Sequence, residues 1–193
     1  MARSGNATPL IALDAVVLDT EATELDPATA RIIELAAVKL SGGKIEQDGF
    51  RRLVNPGQPI PAAASTMHGI DDEAIAAAAD FAEIWPEFSA LLEGAIVIGH
   101  TLGFDLAVLK RECERAGLAW LRPRTLDTRL LAEVAAPDLA GFSLEQLAAW
   151  LGVEVTQRHS ALADALVTAK VFRALMPKLR DGGIRTLAEA ERA

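Results

Sequence analysis

Several residue types are scarce or missing in this chain, and each shortage excludes a class of protein. No tyrosine occurs, and Cys113 is the only cysteine. A single cysteine excludes an intramolecular disulfide and a multi-cysteine metal site, and it is typical of a reducing compartment. No apolar run approaches the roughly 18 residues of a membrane span. Residues 1–9 lack the apolar core of a signal peptide, so we expect a soluble, cytoplasmic protein.

Basic residues are also fewer than acidic residues. Lys and Arg number 19 against 27 Asp and Glu, which gives a formal net charge of −8. This excludes a simple electrostatic coat for nucleic acid, because such domains are usually strongly basic. Hydrophobic residues make up 51% of the chain and charged residues 24%, as in ordinary globular domains. We predict one domain over residues 10–180, a flexible N-terminal tail over 1–9 and a C-terminal tail over 181–193.

The order of the predicted elements favours an α/β fold. Residues 10–18 form an apolar run that predicts a buried strand. The pattern of 30–40 suits either a strand or a helix, but the Gly-Gly turn after it and the alternating run at 44–54 favour a hairpin. Strands predicted at 95–98 and 124–126 then alternate with helices predicted at 80–92, 103–116, 128–136, 143–151 and 160–179. This order predicts a mixed sheet with helices on its faces.

Acidic residues follow two of the predicted strands. Side chains alternate along a strand, so Asp19 and Glu21 point the same way at the end of the first one. Adjacent carboxylates repel each other unless a cation lies between them, and oxygen ligands suit Mg²⁺ or Mn²⁺. Asp105 follows another buried strand, in the first turn of a helix. The alternatives are that the first two acids run into solvent, and that Asp105 only complements its helix dipole.

A histidine and an acid flank the start of the last long helix. His159 and Asp164 are five residues apart, an offset of about 140° that does not form a helical zinc pair. With Ser160 as the N-cap, His159 lies on the preceding loop and Asp164 in the first turn. A loop histidine can accept a proton from water near neutral pH; the alternative is an ordinary solvated histidine.

Strand ends and helix starts can meet at one edge of a sheet. Asp19, Glu21, Asp105 and Asp164 could there bind two divalent cations roughly 3.5–4 Å apart, an arrangement that hydrolyses phosphodiesters. A histidine beside them would serve as the general base.

Three segments, in this order, carry a resemblance to a known family. They are DTEATEL at 19–25 followed by RIIEL at 31–35, GHTLGFD at 99–105, and HSALAD at 159–164 with Ala165, Thr168 and Ala169. These resemble the three motifs of the DnaQ-like (DEDDh) 3′→5′ exonuclease family, which includes the proofreading subunit of bacterial DNA polymerase III, RNase T and oligoribonuclease. The resemblance extends over about residues 11–178.

The resemblance implies a ribonuclease-H-like fold, with a five-stranded mixed sheet and helices on both faces. It also implies that Asp19, Glu21, Asp105 and Asp164 bind two divalent cations, Mg²⁺ or Mn²⁺, and that His159 is the general base. A sister subfamily uses tyrosine in place of this histidine, so the absence of tyrosine agrees with the histidine assignment.

The substrate contacts are less closely matched. The family's usual DTETTGL has Ala22 and Glu24 here in place of threonine and glycine, and Thr101 replaces the usual asparagine. By resemblance, substrate contacts are expected at Thr20, Ala22, Leu25, Met67, His68, Thr101 and Phe104, with Met67 and His68 on a loop. Phe104 either stacks on a base or belongs to the core. Basic residues between 110 and 130 form either a phosphate-tracking patch or solvated helix faces.

The expected activity is the metal-dependent release of nucleoside 5′-monophosphates from the 3′ end of single-stranded DNA or RNA. The alternative is a non-catalytic exonuclease-fold module that associates with a polymerase or other nucleic-acid machinery. No membrane partner is expected, whereas a polymerase partner or a homodimer is compatible with the sequence. The sequence does not distinguish DNA from RNA as substrate, or proofreading from RNA processing.

Overall fold

The central sheet confirms the predicted α/β class. The computed structural model describes residues 5–156 and 159–193. Its strands are β1 (Ala15–Ala22), β2 (Ile32–Ser41), β3 (Lys44–Ile45), β4 (Phe50–Leu53), β5 (Ile96–Gly99) and β6 (Arg124–Asp127). They are ordered β3-β2-β1-β5-β6, and β4 also pairs with β2. Because β2 is antiparallel to β1 while β5 is parallel to both β1 and β6, the sheet is mixed, as predicted.

Helices cover both faces of this sheet. They are α1 (Ala62–His68), α2 (Asp72–Ile75), α3 (Phe81–Leu92), α4 (Gly103–Ala116), α5 (Thr128–Ala135), α6 (Leu144–Leu151), α7 (Ala161–Asp181) and α8 (Leu187–Ala190). Strand side chains alternate between the two resulting cores. Val17 packs with residues of α5, α6 and α7, whereas Val16 packs with residues of α3 and α4. Each face of β1 is therefore buried by a different group of helices.

The hairpin after β1 differs from the prediction in its last strand. The ambiguous run at 30–40 contains strand β2, and Gly42 and Gly43 turn the chain with φ of 55° and 75°. The single strand predicted at 44–54 is instead divided into β3 and β4, which both pair with β2. Between them, a Cβ on Gly49 would collide with Leu162 Cδ1 in α7. The close approach of α7 thus falls at the break in the strand.

Local capping signals place several helices correctly. Asp80 and Glu83 form the capping box of α3, and Ser143 and Gln146 form that of α6. Helix α1 differs from the expected loop, because its last turn contains Met67 and His68. It begins directly after the last proline of the 55–61 segment, where a missing N–H is tolerated. The prolines therefore exclude regular structure only in the segment 55–61, and α1 forms directly after it.

The two segments predicted as tails bond to each other. The amide of Leu187 donates to Thr8 O at 3.0 Å, and the amide of Ala188 donates to Asn6 O at 3.1 Å. Leu187 and Ala190 of α8 are buried against the core. Within the described part of the chain, every helix is too short or too polar to cross a bilayer.

Candidate active site

Three carboxylates converge where β1 ends. Asp19 and Glu21 leave the same face of the strand, and Asp164 lies in the first turn of α7. One ligand oxygen from each lies within 4.8 Å of the other two. Like charges this close repel one another unless a cation lies between them, and an all-oxygen donor set is the one that hard divalent cations prefer. These residues therefore fit Mg²⁺ or Mn²⁺.

Small side chains allow this convergence. Ala36 lies opposite Asp19 in the β1–β2 register, and it is fully buried, as are Ala161 and Ala165 of α7. Bulky residues at these positions would hold the helix farther from the sheet, since protein interiors are close-packed. The alanines thus allow Asp164 to approach the end of the strand.

Asp105 lies outside this group of three, although its side chain reaches the same strand. It is 6% exposed, and its Oδ1 accepts bonds from Thr20 N at 3.0 Å and from Thr20 Oγ1 at 2.7 Å. Burial is the main effect that raises the pKa of Asp105 to about 7; the bonds from Thr20 oppose it, and the charge of Asp127 adds to it. Asp105 therefore retains its proton more strongly than an exposed aspartate while no cation is bound.

The loop before α4 is held by a single acid. The carboxylate of Asp127 accepts bonds from Thr101 N at 3.1 Å, Leu102 N at 2.9 Å and Arg129 N at 2.9 Å. Thr101 has φ of 58°, a left-handed conformation that is uncommon outside glycine and asparagine. Asp127 thereby fixes the turn from which α4 presents Asp105.

His159 borders the carboxylates through its backbone. Its amide donates to Asp164 Oδ2 at 3.2 Å, and its φ is 58°. Such strain persists only where the surrounding structure imposes it, and it is concentrated at functional sites. The histidine is exposed, so its imidazole has access to solvent at the carboxylate edge.

A cavity of about 620 Å³ opens beside the carboxylates. It is lined by Asp19, His100, Thr101, Arg129, Gly141, Phe142, Ser143, Leu144, Glu145 and Asp164. Of the expected substrate contacts, only Thr101 is in this wall. For the segment 141–145 the sequence predicts only that a helix begins at Ser143, because the segment is distant from all three motifs and carries no functional signal.

The other expected substrate contacts have varied positions. Leu25 is 81% exposed and Met67 is 54% exposed, so both are accessible to a ligand. Ala22 and Phe104 are partly buried and pack on the core of α3 and α4, and Thr20 is buried against Asp105. Phe104 thus contacts the core, and its stacking on a base stays a prediction.

His68 lies near Glu34 and His159. Its Nδ1 accepts a bond from Ile70 N at 3.1 Å, and among the described residues its buried Nε2 has no hydrogen-bond partner. Burial lowers the pKa of His68, as does the nearby His159, while the charge of Glu34 raises it. The ring is therefore favoured in the neutral form, with its proton on Nε2.

The basic residues of 110–130 are largely paired within the protein. Lys110 and Arg111 contact Glu114, Arg115 contacts Glu112, Arg124 contacts Glu191, and Arg129 contacts Glu133. These pairs favour the solvated helix faces over a phosphate-tracking patch. Arg129 also lines the cavity, so it is the member of this set best placed to meet a phosphate.

Known proteins resemble this chain over most of its length. The family model described as Exonuclease (RNase_T) matches residues 16–172. A DNA polymerase III subunit epsilon-like protein of Rhodobacter capsulatus is 39% identical over 183 residues, covering 93% of this chain and 26% of that protein. The DNA polymerase III subunit epsilon of Aquifex aeolicus is 33% identical over 164 residues, covering 85% of this chain and 81% of that protein. This chain thus spans about a quarter of the Rhodobacter relative.

A solved structure has the same architecture. Exonuclease X in complex with 5′ overhanging duplex DNA is similar with a TM-score of 0.72 and 23% sequence identity, covering 92% of this chain and 98% of that one. This likeness confirms the ribonuclease-H-like fold. Together with the match over residues 16–172, it leads to one conclusion: the chain belongs to the exonuclease family.

Proposed function

We propose that this chain is a metal-dependent 3′→5′ exonuclease that releases nucleoside 5′-monophosphates from single-stranded DNA or RNA. The observation that carries the proposal is the convergence of Asp19, Glu21 and Asp164 within 4.8 Å. Arg129 also lines the cavity beside them, so a cationic residue is available to a phosphate that enters it.

Two divalent cations fit the chemistry of the donor set. Asp19, Glu21 and Asp164 would hold them together with Asp105, whose Oδ1 accepts both bonds from Thr20 at the end of the same strand. Such a pair of cations supplies an activated water and charge stabilisation at the leaving oxygen.

His159 is the proposed general base. It is exposed at the edge of the carboxylate group, and the bond from its amide to Asp164 Oδ2 ties its backbone to a proposed ligand. An imidazole in this position can take the proton of an attacking water and release it to solvent between turnovers. The polymerase names of the relatives support a polymerase as protein partner.

Hydrolysis of matched oligonucleotides tests the proposal. We expect 5′-labelled single-stranded substrates to shorten stepwise from the unlabelled end with Mg²⁺ or Mn²⁺, and chromatography to detect nucleoside 5′-monophosphates. Asp19→Asn should lower kcat by about 1,000-fold, since the cation-dependent stabilisation it removes amounts to several kcal/mol. DNA and RNA of one sequence, assayed in parallel, identify the preferred sugar.

Glu93→Gln is the matched control. Glu93 is an exposed acid before β5, at the opposite end of that strand from the loop of Thr101, so its removal should leave kcat unchanged. Wild-type rates in Asp19→Asn would contradict the proposed chemistry. A wild-type protein that binds Mn²⁺ but hydrolyses neither DNA nor RNA would instead favour the non-catalytic module.

A further inference from the structure

Glu34 is a buried acid next to the carboxylate group, outside the set of proposed ligands. We infer that Glu34 is a positioning residue that fixes the first turn of α7, and thereby the placement of Asp164 and His159. This inference rests on the proposed function, because the groups it places are the proposed ligand and base.

The register of the sheet puts Glu34 beside the cluster. Glu34 on β2 lies directly opposite Glu21 on β1, so both side chains leave the same face of the sheet, the one covered by α7. Glu34 is fully buried. A fourth carboxylate next to three others adds repulsion, so its presence there requires compensating contacts.

Both oxygens of Glu34 have such contacts. Oε1 pairs with the guanidinium of Arg51 on β4. Oε2 accepts a 2.7 Å bond from the amide of Ala161, which is 127 residues away in sequence. The arginine and the positive end of the α7 dipole therefore balance the charge, and neither oxygen is left for a cation.

The bond to Ala161 replaces the usual helix cap. The first four amides of a helix lack intrahelical partners, and an N-cap side chain commonly accepts one of them. Ser160 is the N-cap of α7, but its side chain makes no capping bond. The cap comes from a strand of the sheet instead, so the start of the helix is fixed to the sheet as well as to its own loop.

This attachment leads directly to the proposed catalytic groups. The amide of Asp164 donates to Ser160 O at 2.9 Å, and the amide of His159 donates to Asp164 Oδ2 at 3.2 Å. A first turn that moves by a fraction of an ångström moves both groups relative to Asp19 and Glu21. Since misplacement by about 1 Å can reduce a rate by roughly 100-fold, the attachment affects turnover directly.

Two substitutions separate the positioning role from simple stability. Glu34→Ala removes the acceptor; we expect the Ala161 amide to exchange with deuterium about 10-fold faster, and kcat to fall about 10-fold or more with KM little changed. Glu34→Gln retains an acceptor oxygen, so it should restore most of the amide protection and of kcat. Mn²⁺ affinity should stay close to that of the wild type in Glu34→Gln, because this variant retains the acceptor that holds Asp164 in place.

Glu112 offers a matched control. It is 2% exposed, pairs with Arg31 and Arg115, and accepts a bond from Ile32 N at 3.3 Å, so it is also a buried acid between cations and a backbone amide. Glu112→Ala should lower the melting temperature by an amount similar to Glu34→Ala. It should leave the exchange of Ala161 and kcat as in the wild type.

The outcomes distinguish this inference from the proposed function. Faster exchange of Ala161 with unchanged kcat would overturn the positioning role while leaving the exonuclease intact. Equal losses of kcat in Glu34→Ala and Glu112→Ala would reduce Glu34 to a structural residue and also overturn it. If the wild type hydrolyses no oligonucleotide, the proposed function fails first, and the exchange rates alone decide whether Glu34 caps α7.

Discussion

The two ends of the central sheet bring like charges together in different ways. Where β1 ends, Asp19, Glu21 and Asp164 are partly or fully buried and lie within 4.8 Å of one another. Where β1 begins, a second cavity of about 550 Å³ is lined, among the residues that the structure describes, by four cationic side chains and by no acidic one. Those cations are Lys44, Arg173, Arg180 and Arg185, and all four are exposed.

The two groups of charges differ in how far their side chains can move apart. Long cationic side chains can extend into water and separate, so their repulsion is weak and needs no counter-ion. The carboxylates are short, and their backbone is fixed by a strand and by a capped helix turn. Charged groups that the backbone holds close together, as it does the carboxylates, are therefore better evidence of an ion-binding site than a larger number of mobile charges of one sign.

The largest expected effect is on metal-dependent stability. Free Mn²⁺ at about 100 times its Kd should raise the free energy of unfolding of the wild type by about 2.7 kcal/mol, because the proposed site would bind the cation only in the folded protein. Asp164→Asn should lose most of this increase, while Arg173→Gln at the other end should retain it. Thermal unfolding followed by circular dichroism, with MnCl₂ or with EDTA, measures both. If Mn²⁺ stabilised both variants equally, the carboxylate end of the sheet would not be the metal site, and the proposed difference between the two ends would be wrong.

A second effect concerns pH in the absence of metal. The pKa of Asp105 is about 7 in the folded protein and 3.8 in its ordinary state. Between these values the folded protein retains a proton that the unfolded chain has released, so stability falls as pH rises, and the loss is complete above about pH 7. Asp105→Asn cannot titrate.

The free energy of unfolding of Asp105→Asn, relative to that of the wild type, should therefore increase from about pH 4 to pH 7 and then level off. Urea unfolding in EDTA across this range measures the difference. A difference that is constant with pH would mean that Asp105 is already ionised in the folded protein, and that the carboxylate end is less desolvated than its burial implies.

The smallest effect belongs to the cationic end. Arg173→Gln should change the free energy of unfolding by less than about 0.5 kcal/mol, since an exposed charge that is free to move contributes little. Urea unfolding in low salt and in high salt provides the measurement. A larger change, or a marked dependence on salt, would mean that these cations are held as closely as the carboxylates are.

Local patterns in the sequence were enough to predict much of the fold. The alternation along β1 placed Asp19 and Glu21 on one face, and capping residues such as Asp80 and Ser143 marked helix starts. These signals work because each depends on neighbours within a turn or a strand. The proposed roles of the site residues, including His159 as base, remain predictions.

Features that depend on distant neighbours were missed. The bond between Glu34 and Ala161 joins residues 127 positions apart, and no local pattern marks it. The cavity wall at 141–145 faces the carboxylates only because α6 packs beside α7. The break between β3 and β4 lies where Leu162 of α7 approaches Gly49, and the alternation of 44–54 does not indicate that contact.

The single cysteine also makes the protein convenient for spectroscopy. Cys113 is fully buried, and burial raises the pKa of its thiol to about 12, so the reactive thiolate is absent at neutral pH. A cysteine introduced by Leu25→Cys, where the side chain is 81% exposed, would be the reactive thiol of the described chain. A fluorophore or spin label attached there would report on the loop beside the carboxylates without any need to replace Cys113.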